Sequence, residues 1–335
     1  MSLSLPSQLL LQQELPERAL LINPPHDELG SALPETWSIA SFSYDMHNRF
    51  TQMGFSTESI LSLPDTKFEH IYVFLPKAKA RLKYVLNYAM SALADDGELY
   101  FVGENKGGIK SLAKNLKTQF DYTEKLAVGK HSAIVLAQRP IQQTTFALEN
   151  YFEPQVNELD LDLSALPGVF SQDRLDKGTQ VLLDNLPRKI KGRVLDFGCG
   201  AGVIGSYIVK HFEVEEVEMI DDDLPAVLSA QKNIEQNKLP YIEAYASNGF
   251  SDVEDRFNWI ISNPPFHQGV KTDYNVTETF LREAKEYLKL SGKLLIVANE
   301  FLNYETILRG HFKSVNTLVT ENGFKVIQCE GIMRK

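Results

Sequence analysis

The feature that most constrains the fold is a long repeat, because the two halves of the chain carry the same order of strand and helix patterns. Residues 68–76 align without gaps with residues 257–265, at an offset of 189 residues (257 − 68). Residues 93–102 align with residues 288–297 at an offset of 195 residues (288 − 93). Self-similarity at such a long period indicates one fold written twice.

Strands alternate with helices in each copy, which predicts a parallel sheet covered by helices on both faces. In the first copy, a helix over 81–93 is followed by an Asp-Asp-Gly turn at 95–97 and a strand at 98–103. At the offset of 195, residues 129–130 match residues 324–325, and each pair is expected to open a final strand. We therefore predict an α/β protein of two tandem Rossmann-like folds with doubly wound, mostly parallel sheets.

A glycine-rich turn in the second copy is typical of a nucleotide site. A buried strand at 194–197 runs into glycines at 198, 200 and 202, and a helix pattern over 203–211 follows. Missing Cβ atoms let the backbone approach a ligand closely, and the start of the helix offers N–H groups to an anion. The next strand, 217–220, ends in three aspartates, whose carboxylates can accept hydrogen bonds from ribose hydroxyls. The predicted cofactor contacts of this region are Asp196, Gly198, Cys199, Gly200, Gly202, Asp221 and Asp222.

Two ligands fit this turn. Residues 200–205 satisfy the G-x-G-x-x-G pattern of dinucleotide-binding folds, which would make the protein a dehydrogenase. That fingerprint should begin where the strand ends, whereas here Asp196 and Gly198 come first, as in the D-x-G-x-G-x-G turn of S-adenosylmethionine sites. No hydride-transfer constellation follows, so the pattern favours S-adenosylmethionine.

The tetrapeptide Asn263-Pro264-Pro265-Phe266 ends the apolar run 259–261 and predicts the reaction. Two prolines stop the strand and stiffen the backbone. The Asn263 amide oxygen and the Pro264 carbonyl are two acceptors for an exocyclic NH2 group, and Phe266 can stack on the base that carries it. These four residues are the predicted catalytic set, and Asn263 is also counted among the cofactor contacts. A similar tetrapeptide at 23–26 has histidine in the aromatic position, so the motif needs its context.

Two further stretches complete the predicted pocket. Ser247 and Asn248 follow a strand at 241–245, where an adenine would be held, although a plain polar turn explains them equally well. Phe170 precedes a Gly-Thr helix start at 178–179 and is expected either to cover the cofactor or to belong to the core.

The first copy lacks this chemistry. Residues 74–77, Phe-Leu-Pro-Lys, take the place of the tetrapeptide, and the counterpart of the glycine turn near 23–30 has no glycine cluster. We expect a degenerate, catalytically silent domain over 1–140, a polar linker over 141–160 and a catalytic domain over 161–335.

Composition excludes some other classes of protein. A formal net charge of −10 argues against non-specific coating of nucleic acid, although basic clusters occur at 188–193 and at Lys77, Lys79, Arg81 and Lys83. The 2 cysteines are too few for a disulfide framework, and neither a signal peptide nor a membrane-length apolar run is evident. We expect a cytoplasmic protein with no membrane association. No histidine cluster suggests a metal, and none is expected.

At these residues the chain resembles the bacterial ribosomal RNA guanine-N2 methyltransferases, class I enzymes that use S-adenosylmethionine. The resemblance is carried by five segments of the sequence: 101–105, 166–171, 194–202, 261–267 and 296–299. It implies a degenerate N-terminal methyltransferase fold that supports the catalytic half and helps to recognise RNA. It also implies 16S rRNA of the small ribosomal subunit as the partner, and we expect a monomer.

Other functions stay open on the sequence alone. The enzymes acting on 23S rRNA share Asn-Pro-Pro-Phe-His-Gln, and Gln268 matches them. Methylation of adenine N6 or of a protein glutamine uses the same strand-end motif, although Phe266-His267 and the silent repeat disfavour a glutamine enzyme. A non-catalytic RNA-binding scaffold is disfavoured by the intact second copy.

Overall fold

The computed structural model describes residues 2–264 and 271–333, without the side chains of residues 271–275. The chain divides into two compact units, Met1–Tyr151 and Phe152–Lys335. Within the described ranges, no helix has both the length and the apolar character needed to cross a bilayer.

The first unit is built on a seven-stranded sheet in the order β3-β2-β1-β4-β5-β7-β6. Neighbouring strands from β1 to β5 are parallel, whereas β7 is antiparallel to both β5 and β6. The strands are β1 Leu20–Ile22, β2 Ser38–Ala40, β3 Ser56–Glu58, β4 Phe68–Phe74, β5 Leu93–Glu104, β6 Phe120–Gly129 and β7 Ser132–Pro140. The α-helices are α1 Leu5–Leu10, α2 Tyr44–Gln52, α3 Arg81–Ala92 and α4 Ile109–Leu116, with 3-10 turns at Leu29–Ala32, Asn105–Gly107 and Leu148–Tyr151.

The second unit repeats this topology, with the order β12-β11-β10-β13-β14-β16-β15. A short antiparallel pair, β8 with β9, precedes the sheet. The strands are β8 Glu153–Pro154, β9 Ser164–Ala165, β10 Arg193–Phe197, β11 Glu216–Asp221, β12 Ile242–Ala246, β13 Phe257–Ser262, β14 Leu288–Asn299, β15 Phe312–Glu321 and β16 Phe324–Ile332. The helices are α5 Lys177–Asp184, α6 Val203–His211, α7 Leu224–Gln236, α8 Lys271–Glu283 and α9 Tyr304–Leu308, with a 3-10 turn at Ala284–Tyr287.

The identical strand orders confirm the predicted pair of tandem α/β folds. The central strands of the second sheet are apolar on both faces, as expected for a parallel sheet covered by helices. Val194 and Trp259 belong to the core on one face, whereas Leu195 and Ile260 belong to the core on the other. Because the apolar pattern fixes both faces, the sheet places the strand ends in a defined order.

Two details of the predicted repeat are wrong. The Asp-Asp-Gly segment at 95–97 is not a separate turn, because β5 runs through it with a register shift against β4. Residues 129–130 do not open the last strand: Gly129 ends β6, and Ser132 opens β7 opposite Glu104, as Phe324 opens β16 opposite Asn299. The connection from β14 to β15 is shorter than that from β5 to β6, so the offset of 195 does not extend to the final strands.

Candidate active site

Four parallel strands, β10 to β13, bring most of the predicted site residues to one edge of the second sheet. Strand β10 lies between β11 and β13, and Asp196 is level with Met219 on one side and Ile261 on the other. The Ser262 hydroxyl donates to the carbonyl of Phe197 at 2.7 Å, which ties the ends of β10 and β13 together. Asn263 therefore follows β13 directly beside the start of the glycine turn.

The glycine turn exposes its backbone at two of its three glycines. All three have positive φ: 69° at Gly198, 54° at Gly200 and 78° at Gly202. A Cβ added at Gly198 would meet no described atom within 4 Å, and one at Gly200 would meet Phe170 at 3.7 Å. A Cβ at Gly202 would lie 3.0 Å from both Met219 and Ala230. Open space for a ligand thus lies at the first two glycines, whereas close packing explains the third.

Asp196 is buried beneath this turn. Its Oδ2 accepts the Gly205 N–H at 2.9 Å in the first turns of α6, which holds the helix against the strand. Its Oδ1 is buried without a hydrogen-bond partner among the described residues. Burial raises the pKa of this carboxyl to about 7. A buried acceptor without a partner, next to an open glycine turn, fits a polar or cationic ligand.

Asp221 braces the turn from the neighbouring strand. Its Oδ2 accepts the Gly200 N–H and its Oδ1 accepts the Asp223 N–H, both at 2.9 Å. Burial, with the negative charge of Asp223 next in importance, raises the pKa of Asp221 to about 7. A carboxylate has about four acceptor sites, so both oxygens can still accept ribose hydroxyls. Asp222 is partly exposed beside it.

Cys199 faces the core rather than the turn's open side. Its side chain is 7% exposed and belongs to an apolar cluster with Val203 and Ile204. Burial raises the pKa of its thiol well above the ordinary value, so the side chain is a neutral apolar group. Only the backbone of Cys199 is available to a ligand.

Ser247 and Asn248 lie past β12, at the same sheet edge. The buried Ser247 hydroxyl donates to the Gly249 carbonyl and accepts the Asp252 N–H, so it stabilises its own turn. Asn248 is exposed, and its N–H donates to Ser251 Oγ at 3.2 Å. The side chain of Asn248 is therefore exposed at this sheet edge, whereas that of Ser247 is buried.

Phe170 is 55% exposed, so it does not belong to the core. Its carbonyl oxygen and Cβ lie beside the open position above Gly200. The sequence allowed Phe170 either to cover the cofactor or to belong to the core. Its location is compatible with the first interpretation, in which the side chain covers the glycine turn.

Asn263 is held at one end of its amide only. Its Nδ2 donates to Asp176 Oδ2 at 3.0 Å and to Thr179 Oγ1 at 2.9 Å. Its Oδ1 is buried, and no hydrogen-bond partner for it occurs in the part of the chain that the structure describes. Pro264 follows and is buried. The predicted residues Pro265 and Phe266, with His267 and Gln268, lie outside the described residues.

Asp176 and Thr179 are two further residues of the site, whose roles were not predicted from the sequence. Asp176 is the N-cap of α5, and its Oδ2 accepts the Thr179 N–H at 3.0 Å. An aspartate three residues before a threonine at a helix start is a capping signal that can be read from sequence. The sequence gives no such signal for the second contact of this carboxylate, with the side chain of Asn263, which lies 87 residues later.

The same edge of the first sheet is built from different residues. By strand register, Asn23 with φ of 57° corresponds to Gly198, and Ser41 corresponds to Asp221. Hydroxyls of two α3 tyrosines cover the end of β3: Tyr84 donates to the Ile60 carbonyl and Tyr88 donates to the Ser59 carbonyl. The first unit thus lacks the open glycines and the aspartate of the second.

Comparisons with known proteins agree with this architecture. The family model described as "Methyltransferase small domain" matches residues 160–328, just over half of the chain. The model described as "Methyltransferase small domain N-terminal" matches residues 7–155. Both halves of the repeat therefore match models of one methyltransferase class.

Curated relatives match over the whole length. The ribosomal RNA small subunit methyltransferase C of Acinetobacter baumannii is 36% identical over 330 residues, covering 96% of this chain and 98% of the relative. The protein of the same name from Pseudoalteromonas atlantica is 38% identical over 344 residues, covering 98% and 99%. The chain belongs to the ribosomal RNA small subunit methyltransferase C family.

A solved structure shares the tandem fold of this chain. It is described as "T. Thermophilus 16S rRNA N2 G1207 methyltransferase (RsmC) in complex with AdoMet and Guanosine". It has a TM-score of 0.84 and 24% sequence identity, and the match covers 97% of this chain and 91% of that one. The family resemblance inferred from the sequence is thus confirmed, and so is the fold.

Proposed function

We propose that this protein transfers a methyl group from S-adenosylmethionine to the N2 amine of a guanine in 16S rRNA. The observation that carries the proposal is the Asn263 amide, whose nitrogen is anchored and whose buried oxygen has no partner among the described residues. An acceptor held in this way at a strand end, beside an open glycine turn, suits an amine donor. The names of the full-length relatives supply the substrate class.

The glycine turn and its aspartates would hold the cofactor. Gly198 and Gly200 leave room for close approach, and Asp196 and Asp221 place two carboxyl groups at the turn, whose ionised forms a cationic ligand favours. When bound, S-adenosylmethionine supplies an electrophilic methyl group on a sulfonium. Its net positive charge matches the carboxylates, and its ribose hydroxyls match the acceptor capacity of Asp221 or Asp222. Asn248 and Phe170 are proposed to contact adenine and to cover the turn.

The protein's contribution to the reaction is alignment. Asn263 Oδ1 and the Pro264 carbonyl accept the two N2 hydrogens and so direct the nitrogen lone pair towards the methyl group. As the N2–methyl bond forms and the methyl–sulfur bond breaks, the nitrogen would gain positive charge, which the two acceptor oxygens stabilise. S-adenosylhomocysteine would leave with the bonding electron pair, and the nitrogen would then release one of its protons to water. Alignment of two reactants can contribute roughly 7–11 kcal/mol to lowering a barrier. Phe266, outside the described residues, is proposed to stack on the guanine after it leaves its own stack.

The first unit is proposed to assist in recognising RNA. Lys77, Lys79 and Lys83 are exposed past the end of β4, and the Arg81 guanidinium lies 4.5 Å from the Phe42 ring centre. The other basic cluster, 188–193, leads into the amino end of β10, the end opposite Asn263. In that cluster Arg193 pairs with three acidic side chains, those of Glu216, Glu218 and Asp255. The lysines after β4 are therefore the better candidates for phosphate contacts.

We further propose a monomer that acts in the cytoplasm, where its rRNA substrate is found.

The proposal is tested by methylating ribosomal RNA in vitro. Purified protein is incubated with isotopically labelled S-adenosylmethionine and with 16S rRNA, small subunits, 23S rRNA or large subunits. Digested nucleosides are then identified by mass spectrometry. The expected product is N2-methylguanosine from the small-subunit samples. Label in 23S rRNA, in N6-methyladenosine or in ribosomal protein would overturn the assignment in favour of the corresponding alternative.

A further inference from the structure

The Asn263 amide can accept a hydrogen from the substrate amine in only one of its two orientations, the one in which Oδ1 faces the substrate. The structure contains a group that favours this orientation over the flipped one. We propose that Asp176 is a positioning residue, which fixes the Asn263 amide with Oδ1 directed to the substrate amine. This inference rests on the proposed function and concerns the same site. It assigns to Asp176 a role beyond capping helix α5.

The selection follows from the chemistry of the three partners. Rotating the amide by half a turn would bring Oδ1 of Asn263 to about the present 3.0 Å separation between Nδ2 and Asp176 Oδ2. Both atoms would then be acceptors, and one would carry negative charge, so the flipped state is repulsive. Thr179 cannot make this choice, because a hydroxyl donates or accepts equally well. Among the described contacts of the amide, only Asp176 distinguishes the two ends.

Asp176 is itself held in place. Its Oδ2 accepts the Thr179 N–H at 3.0 Å as well as the Asn263 Nδ2–H. A Cβ at Gly178 would lie 3.0 Å from this same oxygen and 3.0 Å from the Phe324 ring, so the space around the carboxylate is closely filled. A fixed anion at the nitrogen end of the amide also polarises it, which makes Oδ1 a stronger acceptor.

The helix cap and the amide contact can be separated by one substitution. Asp176→Ser retains a good N-cap for α5, because serine accepts the same N–H, but its side chain is too short to reach Asn263. We expect kcat to fall by about 10- to 100-fold, as for a misplaced reacting group. The melting temperature should fall by only about 2–4 °C, the cost of one hydrogen bond, and the affinity for S-adenosylmethionine should stay near the wild-type value. The matched control is Thr179→Val, which removes one hydrogen bond but leaves the selecting carboxylate, and we expect a loss in kcat of less than about fivefold.

A double-mutant cycle distinguishes positioning from a separate role. In an Asn263→Ala background, Asp176→Ser should change kcat by less than about twofold, because the residue through which it acts is gone. If the double variant instead loses kcat by the product of the two single-variant losses, the proposal is overturned. A wild-type kcat in Asp176→Ser would overturn it as well.

A measurement without substrate makes the positioning role testable even if the proposed function is wrong. In protein labelled with 15N-asparagine, the side-chain amide signals of Asn263 are those missing from Asn263→Ala. We expect Asp176→Ser to shift the N–H signal of the proton that bonds to Asp176 and to let the amide exchange between its two orientations. Thr179→Val should shift the signal of the other proton but keep a single orientation. If they respond in this way while the wild type methylates no guanine, the proposed function fails and the positioning role stands. If guanine is methylated but neither the signals nor kcat respond to Asp176→Ser, the positioning role fails alone.

Discussion

Replacing Asn263 with alanine should separate methyl transfer from cofactor binding. The change removes the Oδ1 acceptor proposed for the substrate amine, together with the Nδ2 hydrogen bonds of 3.0 and 2.9 Å to Asp176 and Thr179. Losing one positioned acceptor lowers kcat by about 10²- to 10³-fold, or roughly 2.7–4 kcal/mol. Asp176 keeps its bond from the Thr179 N–H, so no buried carboxylate is left without a partner.

The expected loss of stability is small enough to leave the fold intact. Two hydrogen bonds at about 1 kcal/mol each give about 2 kcal/mol, which lowers the melting temperature by roughly 4–8 °C for a unit of this size. Single-turnover kinetics with labelled cofactor measure transfer, and titration calorimetry measures cofactor affinity. Retention of kcat within about threefold of wild type would refute the role of Asn263, because a lost reactive-site acceptor costs far more than that. Parallel loss of cofactor affinity would instead make Asn263 a cofactor residue.

Three further outcomes follow from the site and the first unit. Because burial raises the pKa of Asp221 to about 7 and a cationic ligand favours its ionised form, cofactor affinity should rise with pH through neutrality, by up to about tenfold per unit per carboxyl. Calorimetry at several pH values should show a smaller rise in Asp221→Asn. Gly202→Ala should cost about 2–4 kcal/mol from its positive φ and its contact with Met219, whereas Gly198→Ala, with positive φ but open space, should cost only about 1–2 kcal/mol. Thermal melts check this difference, and equal losses would contradict it. A triple alanine variant removes basic groups that follow β4: Lys77, Lys79 and Arg81. It should weaken rRNA binding and flatten its salt dependence without changing cofactor affinity; unchanged methylation of small subunits would indicate a purely structural first unit.

The sequence predicted the sheets well because parallel strands have to be apolar on both faces. The runs at 194–197 and 259–261 are apolar at almost every position, which is typical of central strands of a sheet that is covered on both faces. The carboxyl ends of adjacent parallel strands lie at the same edge of a sheet. The order of the strands was therefore enough to predict that the glycine turn and Asn263 lie close together. The structure bears out that juxtaposition through the Ser262 contact with Phe197.

Side-chain roles at the site were less predictable, because they depend on contacts distant in sequence. Gly202 resembles its neighbouring glycines in the motif, yet Met219 and Ala230 explain its missing side chain. Cys199 lies within the motif but faces the core. Asp176 has a local signal for helix capping, whereas its bond to Asn263 exists only once β13 and α5 have packed.

The two copies show why one fold can carry different chemistry in this chain. Strand order and register are shared, since both depend on the apolar pattern within the strands. The residues that distinguish the copies lie at or just past the strand ends: Gly198 against Asn23 and Asp221 against Ser41. Ser41 still accepts the Ser43 N–H, as Asp221 accepts the Asp223 N–H, so the turn is conserved in geometry while the charge is lost. Because either residue supports the backbone at this position, the sheet alone does not require a carboxylate there. In the second unit the carboxylate also accepts the Gly200 N–H and is the group proposed to bind the cofactor ribose.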